Sequence, residues 1–241
     1  MTRLVLAHLK SELLALSRMP GFLIPSFVFP GMFFLMFAAP YLRTPEAAVP
    51  TTASFMAFAF FTVVFFQYGV GLAQERENPW IPYLRTLPLP AGVRPVAYLL
   101  TGLLFALAAA LVVAAVAAAA TPFGLPAGRW PLLLAALVLG AVPHGLMGLT
   151  LAYLARPRAA LALANLIFLP LSYLGGLWMP PSLLPDWAQR ISPWLPTRHW
   201  AELVWAAAAG RPWPAASLLT LLGYAALFAL IAAWAWRRGR G

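Results

Sequence analysis

An all-α integral membrane protein, with six transmembrane helices, an N-terminal amphipathic surface helix and a short helical pair between spans five and six on the outer side, is predicted by three observations. The first is composition. Of 241 residues, 63% are hydrophobic and 9% charged, where soluble domains have roughly 45–50% and about 25%. The second is segmentation. Six runs lack Asp, Glu, Lys and Arg: Met19–Leu42, Ala47–Gln74, Pro95–Gly128, Trp130–Ala155, Ala159–Pro185 and Pro212–Trp236. A spanning helix needs about 20 residues at about 1.5 Å each, and one charge at its centre costs about 2.5–3.5 kcal/mol. The third is the placement of Arg and Lys. Arg3, Lys10, Arg18, Arg76, Arg85, Arg94, Arg156, Arg158, Arg237, Arg238 and Arg240 fall on one face, and Arg43, Arg129, Arg190, Arg198 and Arg211 on the other. The richer face is cytoplasmic by the positive-inside rule, so both termini are expected in the cytoplasm and the chain in the cell (inner) membrane.

The net charge of +10 would point to nucleic acid in a soluble protein. Here the bases sit at the ends of apolar runs and act as topology signals, so the expected surroundings are lipid and no nucleic acid. The absence of cysteine excludes disulfides and thiol chemistry.

Residues 1–18 are not expected to be a signal peptide, because Lys10 and Glu12 interrupt any apolar core. Leu6, Leu9, Leu13 and Leu16 recur at helical spacing, with Arg3, Lys10 and Arg18 away from them. That pattern predicts an interfacial helix on the cytoplasmic surface. Span one carries Pro20, Pro25 and Pro30, which predicts a kinked or divided helix.

Spans one and two hold most of the phenylalanine: Phe22, Phe27, Phe29, Phe33, Phe34 and Phe37, then Phe55, Phe58, Phe60, Phe61, Phe65 and Phe66. Lipid-facing Phe is ordinary. The functional alternative is that Phe33, Phe58, Phe61 and Phe65 line a route for an apolar or amphipathic substrate. In the segment 74–94, Glu75, Arg76 and Glu77 precede Asn78-Pro79, a helix start, and Pro88 stops it. The exposed helix would offer Trp80, Tyr83, Leu84 and Leu87, an apolar surface rimmed by charge that suggests a protein partner; the alternative is a helix lying flat on the membrane.

Span three carries Ala106, Ala110, Ala114 and Ala118, a small-residue face for close helix packing. Span four contains His144 beside Pro143, and span five contains Asn165. Each reads as an interhelical or kink-stabilising hydrogen bond, or as a substrate contact. Gln67 in span two reads the same way.

The segment 179–213 is too polar to cross and too rich in tryptophan for a solvated loop. Trp178, Trp187, Trp194, Trp200, Trp205 and Trp213 lie in or beside it, with Asp186, Arg190, Arg198 and Glu202 between them. Tryptophan favours the headgroup level. Two short helices are expected to lie in the outer interface or to dip into it as a re-entrant segment, starting at Ser182 and Thr197.

No HExxH, GxSxG or GxxxxGK[ST] pattern occurs, and the sole lysine, Lys10, follows no glycine. Catalysis and ATP hydrolysis by this chain are therefore not expected.

Taken together, six spans, a surface helix, a glutamate-led loop after span two and a Trp/Pro-rich outer segment resemble a type-2 ATP-binding-cassette permease, the membrane subunit of exporters. The most specific match is Gly175-Gly176, Pro180, Leu184-Pro185-Asp186-Trp187 and Leu195-Pro196-Thr197-Arg198-His199. Glu75-Arg76-Glu77-Asn78 with Pro88 resembles the family's coupling loop. It departs in having Pro79-Trp80 for the usual Gly-Thr, and Trp205 stands where the family often has Arg or Gln.

The resemblance implies a single permease domain over 1–241 that moves an apolar or amphipathic substrate (drug, lipid or lipid-linked molecule) out of the cytoplasm. Two copies of a separate ATPase subunit would supply ATP and Mg, with no cofactor on this chain. A second permease copy would complete a homodimer or a related heterodimer. ATPase coupling would fall to Glu75, Arg76, Glu77, Tyr83, Leu84, Arg85 and Pro88. An outer gate would be formed by Pro180, Pro185, Asp186, Trp187, Pro196 and His199. The alternative is an ion-coupled secondary transporter using His144.

Overall fold

A computed structural model of the chain describes residues 2–80, 90 and 92–238. Six of its helices are long and apolar enough to cross a membrane: Pro20–Tyr41, Pro45–Glu75, Val93–Ala120, Ala127–Leu154, Pro157–Leu174 and Ala215–Arg238. They match the six uncharged runs, and the described residues contain no strand.

Span two is the axis of the bundle. Its buried share is 83%, against at most 50% for any other span. Phe55, Phe58, Phe60, Phe61 and Phe65 are fully buried and project from it in every direction. A helix apolar all round has no preferred lipid face and goes to the centre. The aromatic contacts follow: Phe58 stacks on Phe168 of span five at 5.3 Å, and Phe34 of span one meets Phe55 edge-on at 5.3 Å.

Span three packs along span two through Ala106, Ala109, Ala110, Val113, Ala114 and Ala117, all buried. The small-residue stripe therefore ends on Ala117, and the expected Ala118 is exposed. A strict four-residue step runs ahead of a 3.6-residue turn, so the stripe has to fall back by one position. Span four approaches span two backbone to backbone. A Cβ on Gly148 would stand 3.1 Å from the Phe65 carbonyl oxygen and 3.2 Å from the Gly69 nitrogen. Thr150 then ties span four to span six, its hydroxyl donating to the Phe228 carbonyl at 3.2 Å.

Proline divides span one as expected. An α-turn at Pro20–Leu23 gives way to a π-helical stretch, Ile24–Val28, before α-helix resumes over Phe29–Phe37. Pro25 and Pro30 have no N–H to donate, and a wider turn absorbs the missing bonds. Span two has a second π-stretch at Gln67–Gly71.

The N-terminal helix, Thr2–Ser17, lies against span three. His8, Leu9, Glu12, Leu13 and Leu16 are half-buried, whereas Leu6 is 57% and Leu14 46% exposed. Its packed face thus includes an acid and a histidine beside the leucines.

Between spans five and six, two α-helices occur as expected, but their starts differ. Ser182 caps nothing: it lies in a 3-10 turn, Pro181–Leu183, and the first helix is Asp186–Ile191, entered from Pro185. Proline fixes the extended entry, and Asp186 then complements the helix N-terminus. The second helix, Pro196–Ala209, starts at proline rather than at Thr197. Proline suits the first helical position, whose N–H is unpaired anyway. Thr197 instead donates to the Leu171 carbonyl at 2.8 Å. This helix is inserted among spans two, four and six, with Trp200, Ala201, Leu203, Val204 and Ala207 buried.

Candidate functional site

Two groups of residues stand out, one at each end of the bundle. The first is the base of the segment 74–94. Span two ends at Glu75, and its carboxylate accepts from Arg94, at the start of span three, at 3.0 Å. Arg76 turns the other way and donates to the Ala152 carbonyl at 2.5 Å and to Tyr153 at 3.4 Å, at the end of span four. Its guanidinium also stands 5.8 Å from the Tyr153 ring centroid. Two consecutive residues therefore fasten one loop to three spans.

Glu77 and Asn78 are exposed. The Asn78 side chain accepts from the Trp80 backbone N–H at 3.0 Å, the capping geometry expected of Asn-Pro. Trp80 is 64% exposed. Tyr83, Leu84, Arg85 and Pro88, and with them the body of the expected helix, lie outside the described residues.

Behind this base, Tyr98 donates to the Gln67 carbonyl at 2.6 Å and Tyr68 to the Leu99 carbonyl at 2.5 Å. These bonds stitch the π-stretch of span two to span three. The N-terminal helix joins the same cluster through Glu12. Burial pushes the Glu12 carboxyl above its ordinary value and Glu75 adds to the rise, while Arg94 and His8 pull it back.

The second group is at the far end. The glycine pair closes span five in a left-handed turn. Gly176 has φ +81°, and the Leu177 N–H returns to the Ser172 carbonyl at 3.0 Å. The chain then runs through Trp178, Met179, Pro180 and Pro181. With Pro50, Thr51 and Ser54 of span two, and with Trp205 and Arg211, these four enclose a cavity of about 290 Å³. Trp205 donates its indole N–H to Ser54 at 2.6 Å, and Arg198 covers the Trp205 ring at 5.3 Å.

His199 and Glu202 hold the inserted helix to span six. Glu202 accepts from Arg198 at 3.0 Å and from Ser217. His199 donates from Nε2 to the Pro193 carbonyl at 2.9 Å, with Nδ1 3.2 Å from the Ser217 hydroxyl. Pro180 and His199 thus belong to the built part of this end, and Pro196 is buried beneath it. Pro185, Asp186 and Trp187 are exposed, Trp187 by 57%.

The residues singled out for a substrate route divide differently. Phe58, Phe61 and Phe65 are fully buried, and Phe33 packs on Trp178 at 5.7 Å. His144 lies between Phe61 at 4.8 Å and Trp200 at 4.7 Å, its Nδ1–H donating to the Gly140 carbonyl at 2.6 Å. That is a bond within its own helix, one turn back, beside the Pro143 interruption. Asn165 likewise donates to Leu161 of its own helix at 3.0 Å. Buried Gln67 makes no side-chain hydrogen bond to the described residues. Glu12, Arg94 and Ser217 are the members that sequence reasoning missed. Each looked like a local charge, cap or filler, and its partner stands on another helix.

A family described as ABC-2 type transporter matches residues 3–209. The chain is also similar to YvfS of Bacillus subtilis (strain 168), named as a candidate transport permease. The two are 25% identical over 170 residues, 70% of this chain and 69% of that protein.

Proposed function

The chain belongs to the ABC-2 type transporter family, a transport permease of six membrane spans, and from that premise we propose that it is the membrane subunit of an ATP-driven exporter. A separate ATPase subunit, two copies per assembly, hydrolyses ATP with Mg. Two permeases, identical or related, face each other across the pathway, and both termini lie in the cytoplasm of the cell (inner) membrane. The substrate is an apolar or amphipathic molecule: a drug, a lipid or a lipid-linked molecule. This chain carries no catalysis of its own.

One observation carries the coupling part of the reading: Glu75 and Arg76 fasten the 74–94 segment to spans two, three and four. A push from a docked ATPase on that segment would reach three spans at once rather than being lost in a slack loop. At the far end, the inserted helix and the turn at Pro180 would open and close the exit. Phe33 packed on Trp178 would link the aromatic core of spans one and two to that exit.

The test is co-expression with the nearest-encoded ATPase, purification by a tag on the permease, and ATPase activity in lipid with and without Glu75→Ala/Glu77→Ala. Co-purification with activity that falls in the variant supports the reading. Unchanged activity moves the coupling surface elsewhere. Failure of any ATPase to bind would sink it and make ion-coupled transport through His144 the next hypothesis.

A further inference from the structure

The N-terminal helix does not close completely on span three. Leu6, Leu9, Leu13 and Leu14 on one side and Phe105 on the other border an open apolar groove of about 560 Å³, with Lys10 and Ser17 on its wall. We propose that this groove holds one anionic glycerophospholipid, its acyl chain between the helix and Phe105 and its headgroup at Lys10.

The depth of the groove fits an acyl chain. Phe105 is eleven residues beyond Arg94 on the same helix, about 16 Å at 1.5 Å per residue. That is roughly half of a ~30 Å hydrocarbon core. Phe105, the span-three residue on the groove wall, therefore stands near the level where one leaflet ends, a depth that an acyl chain reaches.

Its charge fits an anionic headgroup. Lys10 is the only ionisable group on the groove wall and is exposed, and it has no ion-pair partner among the described residues. Its flexible stem can lie along the leucines while the ammonium reaches a phosphate. Arg3 and Arg18, both exposed on the same helix, add to the field that favours an anionic headgroup. Glu12, the acid nearest in sequence, does not line the groove. It is half-buried among the charges of His8, Glu75 and Arg94.

The openness of the groove decides the source of the occupant. A groove bordered by leucines and by Phe105 of a spanning helix is reached from the bilayer, and a soluble phosphate could satisfy Lys10 but leave the apolar walls unfilled. The site stands whether or not an ATPase docks on the chain.

The experiment uses the full chain in phosphatidylcholine vesicles doped with phosphatidylglycerol that carries a photoreactive group on its acyl chain. Cross-linked residues are mapped by peptide mass spectrometry without nucleotide. Expected labelling concentrates on Leu9, Leu13 and Phe105 and is competed by unlabelled phosphatidylglycerol but not by phosphatidylcholine. Lys10→Glu lowers it roughly tenfold, the loss of one charge-assisted contact, and Lys10→Arg retains it. Labelling spread evenly over exposed leucines such as Leu222 and Leu230 of span six would overturn the proposal, as would equal competition by phosphatidylcholine. Labelling and competition on the unmodified chain distinguish these outcomes without any substitution, so a variant that fails to fold does not shield the proposal.

Discussion

The Trp200 indole occupies the space that a side chain at Gly140 would need. A Cβ there would stand 2.0 Å from Cδ1 and Nε1 of the ring, and the same Nε1 donates to the Ala136 carbonyl at 3.0 Å. Trp200 is fully buried, and the pair seats the inserted helix in span four.

Gly140→Ala is therefore expected to displace the ring, because no real Cβ contact is so short. Overpacking costs typically about 1–3 kcal/mol, and loss of the buried indole bond adds about 1 kcal/mol or more. Thermal unfolding in detergent should show a clear drop in midpoint. Gly124→Ala, where a Cβ meets nothing within 4 Å, serves as the neutral control. Equal midpoints for the two variants would remove Trp200 from its assigned role.

Arg76→Ala should separate stability from coupling. The residue is exposed and its bonds go to carbonyls at the end of span four, so the stability loss is expected below about 1 kcal/mol. Substrate-stimulated ATPase activity of the assembled transporter should fall much further, because the fastening of the loop to span four is gone. A variant with normal stimulation would show that span four receives no push through Arg76.

What the sequence made legible was whatever depends on neighbours along the chain. Charge exclusion set the six spans, Pro25 and Pro30 set the break in span one, and Asn78-Pro79 set the cap that Trp80 uses. The packing of the inserted helix was not legible, because it depends on partners far away. Trp200 reads as an interfacial residue until Gly140, sixty positions earlier, supplies a slot for it. Glu12 read as an interruption in a leucine pattern, and its charged surroundings belong to spans two and three. At the far end of the bundle the same distinction holds. The turn at Gly176 was visible as a glycine pair, whereas the Glu202–Ser217 bond joins two helices with no local signature.

Gly176→Ala tests that turn. Gly176 has φ +81°, and a Cβ would stand 2.9 Å from the Pro181 ring and 3.3 Å from Trp205. The left-handed backbone alone costs a non-glycine residue about 1–2 kcal/mol. The variant is expected to lose at least that much and to disturb the cavity that Pro181 and Trp205 share. Tryptophan fluorescence should report the disturbance, through Trp178 and Trp205 on the cavity wall. A stable variant with an unchanged spectrum would show that the turn can be remade without glycine.

Glu12 gives the docking of the N-terminal helix a pH dependence whose sign can be worked out. Its carboxyl is raised above 4.5, first by burial and then by Glu75. The docked helix therefore binds the proton more tightly than the released one. The contribution to docking is greatest below the ordinary carboxylate value and is lost as pH rises through the raised value. Amide hydrogen exchange of Thr2–Ser17, measured from about pH 4 to about pH 8 and corrected for the intrinsic rate, should show protection declining across that window. Glu12→Gln carries no charge to desolvate. Its protection should be flat across the window and higher than that of the native chain at neutral pH. A mutant that kept the native slope would place the titrating group elsewhere.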